Sequence, residues 1–193
     1  MAVQSKMMPL GTKAPEFELP DAVSGGTVSI TDFSDKKALL VMFICNHCPY
    51  VQHVRSELAR LGSDYNNTDL GMVAISSNDI DAYPTDSPEM MKAEAEEQGY
   101  EFPYLFDEDQ SVAAAYTAMC TPDFFLFGED RALVYRGQLD ASRPGNDVPV
   151  TGEDLRAAID ATLAGEQVSQ EQKPSIGCSI KWKPGNTPAY FVS

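Results

Sequence analysis

Residues 36–62 read KKALLVMFICNHCPYVQHVRSELARLG, and two changes of pattern inside them decide the fold. From Ala38 to Ile44 every position is apolar, as in a strand buried on both faces of a parallel sheet. After Cys48-Pro49 the period lengthens. Val51, Val54, Leu58 and Leu61 recur at intervals of three and four, the stripe of an amphipathic helix, with Pro49 suited to its first turn and Gly62 read as its stop. Between strand and helix lies Cys45-Asn46-His47-Cys48. A thiol at the head of a helix faces unpaired N–H groups and the positive end of the dipole, and both favour thiolate. Such surroundings bring a cysteine pKa from about 8.5 to between about 3.5 and 7.5. His47, when protonated, adds to the effect. The spacing allows a disulfide across one turn, with Cys45 attacking and Cys48 resolving. The plainer alternatives are two buried apolar cysteines or half of a zinc site. Cys45, Cys48 and His53 form C-x2-C-x4-H, but no later Cys/His pair completes a tetrahedral set, so no metal is expected.

Outward from this stretch, Pro9, Pro15, Pro20 and Gly25-Gly26 punctuate loops around a short hairpin near Thr27–Ile30. Downstream, Leu70–Ser76 reads as a second strand. Ser87-Pro88 opens a helix that Gly99 closes, and a short helix follows at Ser111–Met119. Phe124–Phe127 and Ala132–Tyr135 form a hairpin, and Thr151 with Asp154 suggests a capping box for a last helix ending at Gly165. The βαβ start requires parallel pairing and the late hairpin adds antiparallel strands. The class is α/β: a mixed central sheet with helices on both faces, in a single domain over residues 1–193 whose core spans about 10–165. Residues 167–193, with Pro174, Pro184 and Pro188, are read as an extended tail wrapping the surface.

Of 193 residues, 14 are Lys or Arg and 29 are Asp or Glu, a net charge of −15. Nucleic acid and anionic membrane both demand a basic footprint, so neither is an expected partner. The opening residues carry no apolar core of a secretory leader, and no apolar run reaches membrane-spanning length. A cytoplasmic location is expected, where cysteines serve catalysis or metal binding more often than a disulfide framework. The charge is uneven. Between Asp79 and Asp109 eleven acids accompany only Lys92, whereas Lys173–Ser193 carries three lysines and no acid. The plain reading of the acidic stretch is a solvated helix; the sharper one is that the basic tail folds over an acidic body and brings Lys181 or Lys183 to the Cys45 thiolate.

The chain resembles the thioredoxin-fold superfamily and, more narrowly, its peroxiredoxin-like, AhpC/TSA-type branch. LGTKAPEFELPDAVSGGTVSITDF, KKALLVMFICNHCPYV and CTPDFFLFGEDRALVYRGQLD carry the likeness, and EMMKAEAEEQGYEFPYLFDEDQSVAAAYTA looks like the helical insert of peroxiredoxin-type members. The resemblance implies a three-layer thioredoxin-like fold. It makes Cys45 the attacking cysteine and Cys48 its resolving partner, with Thr121-Pro122 as a cis-proline turn beside them that leaves backbone groups free to pair with a bound strand. The peroxidases of the branch carry P-x-x-x-T-x-x-C. Placing Cys48 at the peroxidatic position puts Val41 and Cys45 at the Pro and Thr sites; placing Cys45 there puts Ala38 and Met42 at them. The peroxidase Arg falls near Cys120, and the buried acid of thioredoxins, six residues before the first cysteine, is Leu39. A proton shuttle must therefore come from elsewhere.

The expected activity is thiol–disulfide exchange by Cys45 and Cys48, supported by His47, Thr121 and Pro122, without a cofactor. The substrate would be a disulfide in a protein or small molecule, and the electrons would come from an external dithiol. The alternatives are a thiol peroxidase lacking the usual Thr and Arg, and a non-catalytic binding module. Cys120 and Cys178 are candidates for a second redox pair or a relay, or else a buried hydrophobe and an idle surface thiol. Trp182 is read as a tail anchor.

Overall fold

The structure is a computed structural model and describes residues 2–191. Among these residues ten strands lie at Ala2–Gln4 (β1), Glu18–Pro20 (β2), Thr27–Ser29 (β3), Ala38–Phe43 (β4), Leu70–Ser76 (β5), Tyr104–Phe106 (β6), Cys120–Thr121 (β7), Asp123–Phe127 (β8), Leu133–Gly137 (β9) and Ile176–Ser179 (β10). Among them also are four α-helices, Pro49–Tyr65 (α1), Pro88–Gln98 (α2), Ser111–Ala115 (α3) and Glu153–Ala164 (α4). The central sheet runs β6-β5-β4-β8-β9. Its β4, β5 and β6 are parallel, while β8 is antiparallel to both β4 and β9.

Strand β4 is buried at every position because both of its faces are covered. Leu40 and Met42 pack with Val51, Val54 and Leu58 of α1, Met91 of α2, and Leu155 and Ile159 of α4. Leu39, Val41 and Phe43 point the other way, into a second core with Phe17, Val112, Ala113, Phe125 and Ile180. The mixed sheet with helices on both faces is thus the architecture observed.

Three local expectations change. Helix α1 continues through Gly62 to Tyr65; Gly62 is where the helix meets the Phe102 ring and the Glu101 backbone, and a Cβ there would sit a tight 3.1 Å from that ring. Helix α4 has no Thr151 box: Gly152, at φ +68°, is its N-cap, and its amide and that of Thr151 donate to the Asp140 carboxylate. The tail does more than wrap. β10 lies between β1 and β7, antiparallel to both, in a separate three-stranded sheet.

Candidate active site

Strand β4 ends at Phe43 and α1 starts at Pro49, so the five residues between them turn at the end of the sheet with Cys48 as helix N-cap. Against this turn lies the cis Thr121–Pro122 peptide between β7 and β8. Thr121 touches both thiols: Cys45 Sγ is 3.3 Å from its hydroxyl, and Cys48 Sγ donates to its carbonyl at 3.1 Å. All four cysteines are free; Cys45 is 1% exposed and Cys48 0%.

The sequence shows no buried acid ahead of the first cysteine, and the structure supplies one from elsewhere. Asp86, fully buried, accepts the backbone N–H groups of Asn46 at 2.9 Å and His47 at 3.1 Å, and the Asn78 side-chain amide at 2.8 Å. Its other partner is His47 Nδ1 at 2.6 Å, and that nitrogen lies 3.9 Å from Cys45 Sγ. The His47 ring stacks on Tyr83 at a centroid distance of 4.8 Å. Asp86 therefore holds both middle residues of the CxxC turn. Burial opposes its charge but is outweighed by the hydrogen bonds from His47 and Asn78, which hold the carboxyl below its usual range. Nothing in the sequence singles it out from the ten other acids of its segment.

The two thiols ionise unequally, and in the opposite order to the one expected from the sequence. Cys45 is pushed up by its hydrogen bond to Cys48, by burial and by the Asp86 charge. Cys48 is drawn down to about 4, chiefly by the hydrogen bond from Cys45, then by Cys178, Thr121 and the Val51 backbone, with burial opposing.

The register of β10 on β7 places the other two cysteines. Cys178 stands opposite Thr121, and Ser179 opposite Cys120. Side chains alternate along a strand and match across it. Cys178 therefore shares the face of Thr121 and lies beside Cys48, with which its thiol interacts, while Cys120 points the other way. Cys120 Sγ meets Ser5 Oγ at 3.9 Å and the Pro122 carbonyl at 3.7 Å, in a pocket with the buried pair Asp123–Arg136. The two cysteines considered as a second pair are not brought together. Nor does either tail lysine serve Cys45: Lys181 Nζ donates to the Ser179 carbonyl at 2.7 Å, and its charge offsets only part of the rise to about 11 that burial and Cys48 impose on the Cys178 pKa, while Lys183 lies toward Asp109. Trp182 packs into the second core, edge-on to Phe191.

Ligand atoms of Cys45, His47 and Asp86 come within 4.8 Å of one another. The His47 nitrogen that faces the cysteine is hydrogen-bonded to Asp86, so a metal would have to break the contact that orients the turn. His53, the third residue of the C-x2-C-x4-H spacing, is bonded to Ser142 at 2.7 Å instead.

A parallel β4-α1-β5 unit, a dithiol turn at the head of its helix and a cis-proline loop facing that turn define a protein of thioredoxin fold. Residues 10–136 match the AhpC/TSA family, and the chain belongs to it. A crystal structure of an uncharacterized conserved protein from Geobacillus kaustophilus is 58% identical, with a TM-score of 0.94 over 96% of this chain and 98% of that one. The thioredoxin domain of a thiol-disulfide oxidoreductase from Bacteroides vulgatus shares the fold at 19% identity, TM-score 0.63, over 81% of this chain and 99% of that one. A Mycobacterium tuberculosis protein assigned as a peroxiredoxin is 30% identical over 108 residues. That match covers 56% of this chain and 63% of the relative's length.

Proposed function

We propose that the protein is a thiol–disulfide oxidoreductase whose working couple is Cys45 and Cys48. One observation carries this reading: both thiols converge on Thr121 of the cis-proline loop at the head of α1. The hydrogen bond from Cys45 draws the Cys48 pKa down, which favours its thiolate. Exchange needs a thiolate at ambient pH.

Cys45 lies beside the half-buried His47, whose Nδ1 is 3.9 Å from its sulfur, and the family resemblance gives it the attacking role. In the reduced protein the Cys45 thiol passes its proton along the shared hydrogen bond to Cys48, and the Cys45 sulfur attacks the substrate disulfide. One substrate sulfur leaves as thiolate and takes up a proton. Cys48, deprotonated again, then attacks Cys45 Sγ, closing the Cys45–Cys48 disulfide and releasing the second substrate thiolate. Asp86 positions the turn through three of its hydrogen bonds and keeps His47 beside the reacting sulfur. A cavity of about 260 Å³, lined by Asn46, His47, Met90, Glu94 and Glu97, adjoins this side and is a route by which a substrate enters. A dithiol reductant of a reducing compartment, the cytoplasm in our reading, would restore the couple.

Redox titration followed by alkylation and mass mapping tests this. A reversible two-electron couple on Cys45 and Cys48, with disulfide-reducing activity abolished in Cys45→Ser, is the expected result. A wild-type protein without such activity sinks the reading, as does a Cys45→Ser variant that retains it. Rapid hydrogen peroxide consumption with no disulfide reduction would replace it with the peroxidase alternative.

A further inference from the structure

We propose that Cys178 is a third exchange thiol, through which the disulfide made at Cys45 and Cys48 is carried toward the surface. The inference rests on the oxidoreductase reading above.

Placement comes first. The chain's own β10 occupies the backbone edge of β7 beside the cis-proline, the edge that the family resemblance leaves free for a bound strand. The residue it sets opposite Thr121 is a cysteine, and the carbonyl of that same Thr121 is the group Cys48 contacts at 3.1 Å. Cys178 and Cys48 thus converge on one residue and pack in one core cluster.

Exposure gives the direction. Cys45, Cys48 and Cys120 are buried, and Cys178 alone of the four thiols is partly open to solvent. A thiol that reduces a disulfide must approach one of its sulfurs directly. The Cys45–Cys48 bond is reached only past the half-buried Asn46 and His47, whereas a sulfur at Cys178 is itself partly open to solvent.

The position is also held. Gly177 lies so close to β7 that a Cβ there would fall 2.0 Å from the Thr121 carbonyl oxygen, so this register admits only glycine at the site. On either side, the Ser5 amide donates to the Ser175 carbonyl, Ile180 N–H to the Met119 carbonyl, and Lys181 N–H to the Asn78 side chain. The thiol is held next to its partner; burial and Cys48 push its pKa up to about 11, and the nearby Lys181 charge offsets only part of that.

The step balances without an outside oxidant. The Cys178 thiolate attacks Cys48 Sγ; the Cys48–Cys178 bond forms, the Cys45–Cys48 bond breaks, and Cys45 leaves as thiolate and takes the proton that Cys178 lost. An external dithiol then attacks Cys178, releases Cys48 and closes its own disulfide. Two electrons and two protons pass from the dithiol to Cys48 and Cys178.

Two experiments on the full chain test it. Wild-type protein is oxidised with one equivalent of a disulfide substrate, quenched with alkylating agent, digested and mapped. The expected result is a Cys48–Cys178 peptide alongside Cys45–Cys48, and Cys48–Cys178 alone in a Cys45→Ser variant given oxidised dithiothreitol. In stopped-flow re-reduction by dithiothreitol, Cys178→Ser should be slower by about tenfold or more, because the open sulfur is gone. Cys120→Ser should match wild type. A functioning enzyme that never yields the Cys48–Cys178 peptide overturns this inference alone, and so does wild-type re-reduction in both Cys178→Ser and Cys178→Ala. A protein that yields the Cys48–Cys178 peptide when oxidised with hydrogen peroxide, but reduces no external disulfide, keeps the internal exchange and overturns the oxidoreductase reading. Mapping in wild type needs no variant to fold.

Discussion

Asp86 and Asp123 are both fully buried carboxylates within reach of a cysteine, and they do opposite things. Asp86 lies on the thiol side. It is surrounded by donors, two turn amides and the Asn78 and His47 side chains, and their hydrogen bonds outweigh burial and hold its pKa below the usual carboxylate range. Asp123 lies on the far side of the same loop with Arg136, Ser5 and the Met119 amide, and there burial wins and raises its pKa despite the ion pair. One carboxylate shapes a reactive turn. The other knits β8, β9 and the segment after β1 into a structural plug. A buried acid near a cysteine is therefore no sign of chemistry by itself; what distinguishes the two is whether the surrounding donors belong to the reactive turn.

This contrast breaks most readily on the structural side. Arg136→Met should cost about 3–5 kcal/mol in urea unfolding, since it leaves Asp123 buried without its charge partner. Adding Asp123→Leu should restore much of that. Asp86→Asn is the counterpart. It should cost less, about 1.5–3 kcal/mol for weakened hydrogen bonds to a charged acceptor. It should also lower the Cys45 pKa, read by thiolate absorbance, because the Asp86 charge helps to hold it up.

Gly177→Ala should cost about 1–3 kcal/mol through overpacking against β7, and faster alkylation of Cys178 would report the lifted strand. The pH dependence is subtler. Cys48 titrates near about 4 in the fold, against about 8.5 for a free thiol. Its thiolate thus stabilises the reduced protein fully above about pH 8.5, and that contribution falls away as pH drops toward the folded value. Cys48→Ser should flatten this slope. Asp86, also depressed, adds loss at still lower pH, while Asp123, raised, works the other way. The smallest effect is expected from Cys120→Ala: about 1–2 kcal/mol for the cavity at a buried small side chain, with the reduction potential of the Cys45–Cys48 couple unmoved.

What the sequence discloses follows the range of the interactions. The apolar run of β4, Pro49 and the 3–4 spacing of α1 are local signals, and by themselves they locate the CNHC turn. Ser87-Pro88 and Gly99 work the same way, beginning and ending α2 where expected: Ser87 caps Met90 N–H, and Gly99 adopts φ +72°. Gly62 misleads because a glycine inside a helix looks like a stop until Phe102 is packed against it. Asp86 is invisible for a different cause. An acid among eleven is read as solvated, and only the docking of its segment onto the CxxC turn buries it. The pairing of β10 is equally hidden, because a four-residue strand of Ile, Gly, Cys and Ser has too little pattern to announce partners more than fifty residues upstream.

That remote pairing has a kinetic consequence. Cys45 and Cys48 meet as soon as β4 and α1 form, a matter of three residues of separation. Cys178 reaches them only when β10 finds both β1 and β7, and contacts so distant along the chain are slow to form because loop closure must be met first. A newly made molecule would pass through a stage with an assembled dithiol turn and an uncovered β7 edge. Native-state hydrogen exchange should show the same hierarchy in reverse, with amides of β1 and β10 opening before those of β4 and β5. The thiols would then be two before they are three, and maturation of the protein is the interval between those states.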